Sequence, residues 1–375
     1  MDFEYAVAPA LIVLTALCLS WLCVRRLFSD LDRYRKWRRI TERVVLSLFA
    51  LIAITVACST AFNALAIHHF RTTYHPPGQL LEVGGYRMHI YCTGSGSPTL
   101  ILDAGFGDDW FVWSKVQPEL SKTTRVCSYD RAGYGWSDLR PGPRDANQIA
   151  DELHQLLQQA GITGPIILMG HSIAGLYIRA YTVRYPQKVS GLIFVDSSIP
   201  LQDERPAFRA TSLGPGKIFL LKLALLAGLP RLLGLCSDPV PGFDAETGRI
   251  LAQNRCALHV PVLGEAENFH QSGEETIHAG PFGALPILIL SEDTSHAGSP
   301  QAANQSEKEF ALEWNPMQED LKSLSTRSRR IIAKGSSHYV QIDRADLINR
   351  EVPIFIQQIR GSAAQVTTYG STNTE

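Results

Sequence analysis

The chain is sparing with charge. Only 19% of its 375 residues are Asp, Glu, Lys or Arg, and 35 basic residues stand against 36 acidic ones. A net charge of −1 offers no basic footprint for nucleic acid. Seven cysteines are present, but there is no C-x-x-C and no histidine pair at ligand spacing beside them, which argues against a zinc site. H-E-x-x-H, the Walker loop and the dinucleotide glycine fingerprint are all missing. Gly94 to Pro98 is glycine-rich, but no helical pattern follows it, so it reads as a turn between strands and not as a phosphate loop. These absences leave no metal-ligand or nucleotide-binding pattern in the chain.

What is abundant is apolar sequence, at 45% of the chain, and it is unevenly spread. Residues 6–24 and 44–67 are almost wholly apolar. Each is about long enough to cross a ~30 Å hydrocarbon core as a helix. Between them Arg25, Arg26, Arg33, Arg35, Lys36, Arg38, Arg39 and Arg43 outnumber Asp30, Asp32 and Glu42, and Trp21, Tyr34 and Trp37 lie near the edges. A basic loop stays in the cytoplasm, so both ends of this hairpin are expected on the other side. A signal peptide is the competing reading of the first segment, but its front end carries Asp2 and Glu4 instead of basic residues. Residues 1–75 are therefore read as a two-span membrane anchor.

Past the stiff linker His75–Gly78 the pattern changes to short apolar runs alternating with helical periods. A hairpin is expected over 80–92 around Gly84 and Gly85, and buried strands over 99–104, 125–129, 165–169, 189–195, 286–290 and 329–333. Helical spacing appears at 147–160, 176–185, 307–324 and 344–359. The alternation predicts an α/β fold with a mostly parallel sheet covered on both faces, whose functional loops lie at the carboxyl ends of the strands. Residues 198–284 break the rhythm and read as an insertion, and the Ser/Thr-rich tail 361–375 reads as disordered.

One strand-to-helix junction stands out. Gly170-His171-Ser172-Ile173-Ala174-Gly175 sets a serine between small residues where an apolar strand turns into a helix. Such a turn holds the serine in a strained conformation and thrusts its hydroxyl out at the end of the sheet. A serine hydroxyl needs a base in hydrogen-bond reach, and the base needs an orienting carboxylate. His338, in the loop between the last strand and the last helix, is the expected base. Asp293, after the 286–290 strand, is the expected acid, with Glu292 and Asp196 as the alternatives. All three give the chain order serine, acid, histidine. The amides of Phe106, in the Gly105-Phe106-Gly107 turn, and of Ile173 are the expected donors to an oxyanion. The Asp130–Asp138 loop reads as structural.

From about Leu80 to Arg360 these motifs resemble the α/β-hydrolase-fold serine hydrolases of the esterase, lipase and proline-iminopeptidase-like group. Residues 170–175 resemble the nucleophile elbow, and Asp103–Gly107 the oxyanion loop, although Ala104-Gly105 stands where His-Gly is frequent. Residues 129–138 resemble the Asp-x-x-Gly-x-Gly-x-Ser loop, and Gly335–His338 the histidine loop. Ser291-Glu292-Asp293 departs from the usual Gly-x-x-Asp. The resemblance implies hydrolysis through an acyl-enzyme, with no metal and no cofactor expected, and a serine nucleophile sets the chain apart from the dehalogenase and epoxide-hydrolase branches. It also implies a cap at 198–284 inside a hydrolase domain spanning 76–360. It makes the strands of Cys92 and Cys127 neighbours, so Cys92–Cys127 and, within the cap, Cys236–Cys256 are the expected disulfides. Asn304-Gln305-Ser306 is a glycosylation sequon.

The apolar cap run 217–229 suggests an apolar ester or acyl substrate, taken by an enzyme held at the bilayer on the non-cytoplasmic side. Trp110, Trp113, Trp136 and Trp314 are read as core residues that could add apolar walls. An acyltransferase or a peptidase would use the same residues, and a non-catalytic binding protein could share the fold.

Overall fold

The computed structural model describes residues 7–28, 36–209, 214–240, 243–256, 259–295 and 305–371. Asn304 of the sequon and most of the 25–43 loop's acidic residues fall outside them. In chain order the main elements are α1 (Ala8–Leu27), α2 (Lys36–Thr73), β1 (Gln79–Val83), β2 (Tyr86–Thr93), β3 (Thr99–Asp103), β4 (Val126–Tyr129), α3 (Ala146–Gln159), β5 (Ile166–His171), α4 (Ala174–Arg184), β6 (Val189–Val195), α5 (Pro215–Leu226), α6 (Leu229–Leu232), β7 (Ile287–Glu292), α7 (Gln305–Asp320), β8 (Ser328–Ala333) and α8 (Ala345–Ser371). α8 continues ten residues past Gly361, where the sequence reading placed a disordered tail. Ala363, Ala364 and Gln365 are good helix formers, which favours that continuation.

The chain divides into two compact units: Met1–His75 with Pro215–Val260, and Pro76–Gly214 with Pro261–Glu375. The expected cap is thus split. Its middle goes with the N-terminal helices, and its two ends stay with the sheet.

The second unit holds an eight-stranded sheet in the order β1-β2-β4-β3-β5-β6-β7-β8. β1, β2 and β4 pair antiparallel, and every pairing from β4 through β3 to β8 is parallel. Gly84 and Gly85 close the β1–β2 hairpin at φ 60° and 98°, a two-residue turn that a side chain would strain. The central strands are buried on both faces, so they read as unbroken apolar runs. Their alternate residues still sort into two cores. Ile101, Leu168, Leu192, Phe194 and Ile289 pack with α3 and α4 on one face. Leu102, Met169, Ile193, Val195 and Leu290 pack with Val352, Phe355 and Ile356 of α8 on the other. α3 starts where Asp145 accepts a bond from the Gln148 amide, capping an otherwise orphaned donor. Cys92 and Cys127 face each other directly across β2 and β4 and are disulfide-bonded.

In the first unit, α1 and α2 are both long and apolar enough to cross a membrane. They pack on each other but leave most of their side chains uncovered; Ile52, midway along the apolar part of α2, is 58% exposed. The second disulfide, Cys236–Cys256, closes the 215–260 segment of this unit. Cys18, Cys23 and Cys58 are free thiols on the two long helices.

Candidate active site

β5 runs to His171, and Ser172 follows with φ 55° before α4 begins at Ala174. A left-handed serine is costly, on the order of 1–3 kcal/mol, and persists only where its surroundings over-determine it. They do so here through the neighbouring strand. The Ser172 amide donates to Val195 O at 3.2 Å, and its carbonyl accepts from Ser198 N and Gly175 N at 2.9 and 3.0 Å. The flanking glycines are required by close approach. A Cβ on Gly170 would lie 2.9 Å from Ala174 O, and one on Gly175 would lie 2.6 Å from Ser197 Cβ. The sequence pattern around Ser172 is thus a record of backbone crowding.

Asp196 repeats the geometry one strand over. It follows β6, has φ 43°, and is fully buried. The parallel register puts His171 level with Val195, and Val195 level with Leu290, so Ser172, Asp196 and Glu292 end three adjacent strands. His338 comes in from the loop after β8. Its Nδ1 lies 2.6 Å from Asp196 Oδ2. The other carboxylate oxygen, Oδ1, accepts from the Glu292 amide and from Trp314 Nε1, both at 2.9 Å. A carboxylate can only accept, so the imidazole proton sits on Nδ1, which leaves the Nε2 lone pair free to act as a base. Burial pulls the His338 pKa down, but the hydrogen bond and charge of Asp196, with Glu292 and Asp108 behind, outweigh it and hold the ring above its ordinary 6.5. The side chain is 35% exposed, so it can still meet a substrate.

Asp293, the expected acid, is placed otherwise. Its Oδ1 accepts from Ser295 N at 3.1 Å and its Oδ2 from Gly335 N at 3.0 Å. It ties the loop after β7 to the start of the histidine loop, and the carboxylate on the ring is that of Asp196. Glu292, the other alternative, is half-buried beside Asp196. Burial first, and then the Asp196 charge, push its carboxyl up to about 7. It is only partly ionised near neutrality, which makes it a weaker counter-charge for an imidazolium than a fully ionised carboxylate.

Two further groups steady this arrangement. Trp314, read from sequence as a core or wall residue, donates to Asp196 and sets its ring edge-on to His338 at 5.8 Å. His171 places Nε2 3.0 Å from the His338 carbonyl. Burial and the nearby His338 push the His171 pKa far down, so its ring is neutral and can donate to that carbonyl. No sequence motif announces Trp314, and His171 sits in the elbow at a position the motif leaves open. The one available signal for Asp196 is a charged residue set directly after the apolar run of β6, on the strand beside the serine.

The Phe106 turn is held from behind by Arg131. Its guanidinium donates to Asp103 Oδ1 (2.7 Å), Ala104 O (2.6 Å) and Gly105 O (2.8 Å), and pairs with Glu265 at 2.7 Å. All three charged groups are buried, and burial lifts Asp103 to about 6 against the pull of Arg131. In a trans peptide the C=O and the following N–H point opposite ways. Fixing Gly105 O on Arg131 therefore turns the Phe106 N–H away from the core. Phe106, Ser172 and Ile173 together line a cavity of about 470 Å³. Phe208 and Phe269 add apolar wall, while Asp203, bonded to His270 at 2.9 Å, makes a polar end. The Asp130 loop is structural, as expected: Asp130 accepts from the Trp110 and Trp136 amides and binds His89 at 2.8 Å.

The fold of the chain has counterparts among known proteins. Residues 98–222 match a family model described as alpha/beta hydrolase fold. A 142-residue stretch is 35% identical to a probable transporter, efuK, of Hormonema carpetanum, covering 36% of this chain and 20% of that protein. An AB hydrolase superfamily protein of Gibberella zeae is 27% identical over 293 residues, covering 70% of this chain and 87% of its own. The chain spans only a fifth to about half of the first curated relatives it matches. The enol-lactonase from Burkholderia xenovorans LB400 superposes with a TM-score of 0.53 at 21% identity, over 74% of this chain and 100% of that one, a likeness of fold. Strand order, family model and fold neighbours agree on one architecture: the chain has the α/β-hydrolase fold.

Proposed function

We propose that the chain is a membrane-anchored serine hydrolase that cleaves carboxylic esters of apolar acyl groups. The observation that carries this is the 2.6 Å contact of His338 Nδ1 with Asp196, on the strand next to a serine held at φ 55°. In this reading Ser172 Oγ attacks the ester carbonyl as His338 Nε2 takes its proton. Asp196, in the role first expected of Asp293, holds the ring and offsets its charge. The amides of Phe106 and Ile173 meet the oxyanion, each worth on the order of 3 kcal/mol of barrier. His338 then gives the proton to the departing alkoxide, leaving an acyl-enzyme on Ser172. A water attacks that ester with His338 again as the base, which releases the acid and restores the serine. The cavity favours an amphiphile, with an apolar part against Phe208 and Phe269 and a polar group at Asp203 and His270.

α1 and α2 serve in this reading as membrane spans, with the hydrolase unit on the non-cytoplasmic side. The basic loop supports that orientation, and so do the two disulfides, one in each unit. A fluorophosphonate probe tests the chemistry: wild type should label, and Ser172→Ala should not. Folded wild type that refuses the probe would overturn the proposal.

A further inference from the structure

We propose that residues 215–235 lie in the bilayer surface, as a pair of short helices whose apolar side chains are covered by lipid. The inference rests on the reading that α2 crosses the same membrane. α5 has 12 residues, about 18 Å of helix, and cannot span a ~30 Å hydrocarbon core. It is apolar nearly all round, which in a soluble protein marks a helix buried on every side. Here Ile218 is buried, but Phe219 and Leu233 are 60% and 64% exposed, and Leu220, Leu223, Leu232 and Leu235 stand out with them. So many large apolar side chains within one short segment call for a cover.

The contact with α2 identifies that cover. Gly228 precedes α6 in the left-handed region at φ 71°, and a Cβ there would lie 2.6 Å from Asn63 Cβ and 3.0 Å from Ser59 O. Arg231 Nε donates to Asn63 Oδ1 at 3.1 Å. Asn63 and Thr60 are buried polar residues on a mostly exposed helix whose 44–67 stretch carries no charge. Asn63 lies four residues before the apolar stretch ends at Ile67, about 6 Å inside its edge. α6 is thereby seated at the rim of the hydrocarbon layer, on the side where the chain leaves it. At that depth the Arg231 guanidinium sits at headgroup level, and the exposed Lys217 at the start of α5 can snorkel there too. The apolar side chains of α5 and α6 then meet acyl chains and not water, in a leaflet that also holds amphiphilic esters.

Depth-resolved quenching tests this on the full chain, one copy per nanodisc so that no second copy can cover the face. Cys18, Cys23 and Cys58 are replaced by alanine, and an NBD label is attached at Leu220→Cys, Leu233→Cys, Ile52→Cys or Leu312→Cys. Leu312, 75% exposed on α7, is the water-facing control. Thermal melts check that each variant keeps the parent fold. Shallow doxyl lipid should cut emission at 220 and 233 by about half, as expected for burial ~5–10 Å deep, and deep doxyl lipid should do the same at 52. Label 312 should be unaffected. Labels 220 and 233 behaving like 312 while 52 is quenched would overturn the inference and leave the spans standing. Absence of quenching at 52 would overturn both.

Discussion

The turn at Ser172 and the turn at Asp196 are built alike and differ in how they are written. Each follows a central parallel strand, and each holds a non-glycine residue at positive φ, 55° and 43°. The serine turn is crowded by backbone: Gly170 and Gly175 have atoms within 2.9 Å of where a side chain would begin. That crowding forces glycines at fixed spacing and leaves a motif. The aspartate turn is held by side-chain and amide partners that arrive from afar, Trp314 118 residues on and His338 142 residues on. The partners that hold the Asp196 carboxylate lie far along the chain, so no local pattern marks it. Local backbone contacts write themselves into sequence, and distant side-chain contacts do not.

The comparison breaks if Asp196 proves dispensable. Asp196→Asn should lower kcat about 10⁴-fold, as loss of the orienting carboxylate does in the serine proteases. It should also move the acidic limb of the pH profile downward, because the group that raises His338 is gone. Steady-state turnover of a p-nitrophenyl ester from pH 5 to 9 checks both. Near-normal turnover would return the role to another carboxylate.

Trp314→Phe keeps the ring but removes the donor to Asp196. A hydrogen bond to a charged group is worth about 1.5–3 kcal/mol, so kcat should fall roughly ten- to hundredfold with KM little changed. An equal loss in stability with intact kcat would assign Trp314 to packing alone.

Glu292 sharpens the comparison through pH. Its folded pKa, about 7, lies above the ordinary 4.5. Between those values the folded state binds more protons than the unfolded one, so this group's contribution to stability falls as pH rises. Glu292→Gln removes that slope, and its Tm relative to wild type should climb from pH 5 to pH 8. A Tm difference flat in pH would show that the carboxyl is not perturbed.

The smallest effect is expected at Asp293. Asp293→Asn leaves both oxygen-to-amide contacts partly replaceable, so turnover should change by less than about tenfold. A loss matching that of Asp196→Asn would restore Asp293 to the site and undo the contrast between the two turns.

Much of this protein was legible before any coordinates. Apolar runs at strand length alternating with helical periods specify a parallel sheet covered on both faces, because only buried strands can be apolar throughout. The positions of Ser172, Ile173, Phe106 and His338 were legible as well, since each lies in a loop whose glycines are required by close approach or by positive φ. So were the two apolar helices, each marked by an uncharged apolar run long enough to cross a bilayer. The pair Cys92–Cys127 followed once the strand neighbours were named, and Cys236–Cys256 from both cysteines lying within the cap.

The tertiary structure alone decided the rest. Which of Asp196, Glu292 and Asp293 lies against the His338 ring turns on parallel register and on where α7 lays Trp314, neither of which leaves a mark within a few residues of that carboxylate. The role of Arg131 behind the Phe106 turn requires Glu265, 134 residues away, to complete its ion pairs. The division of the cap, with 215–260 joined to the N-terminal helices, depends on Gly228 and Arg231 meeting Asn63. In each case the deciding contact joins residues far apart in the chain, and a sequence read locally records only contacts made close by.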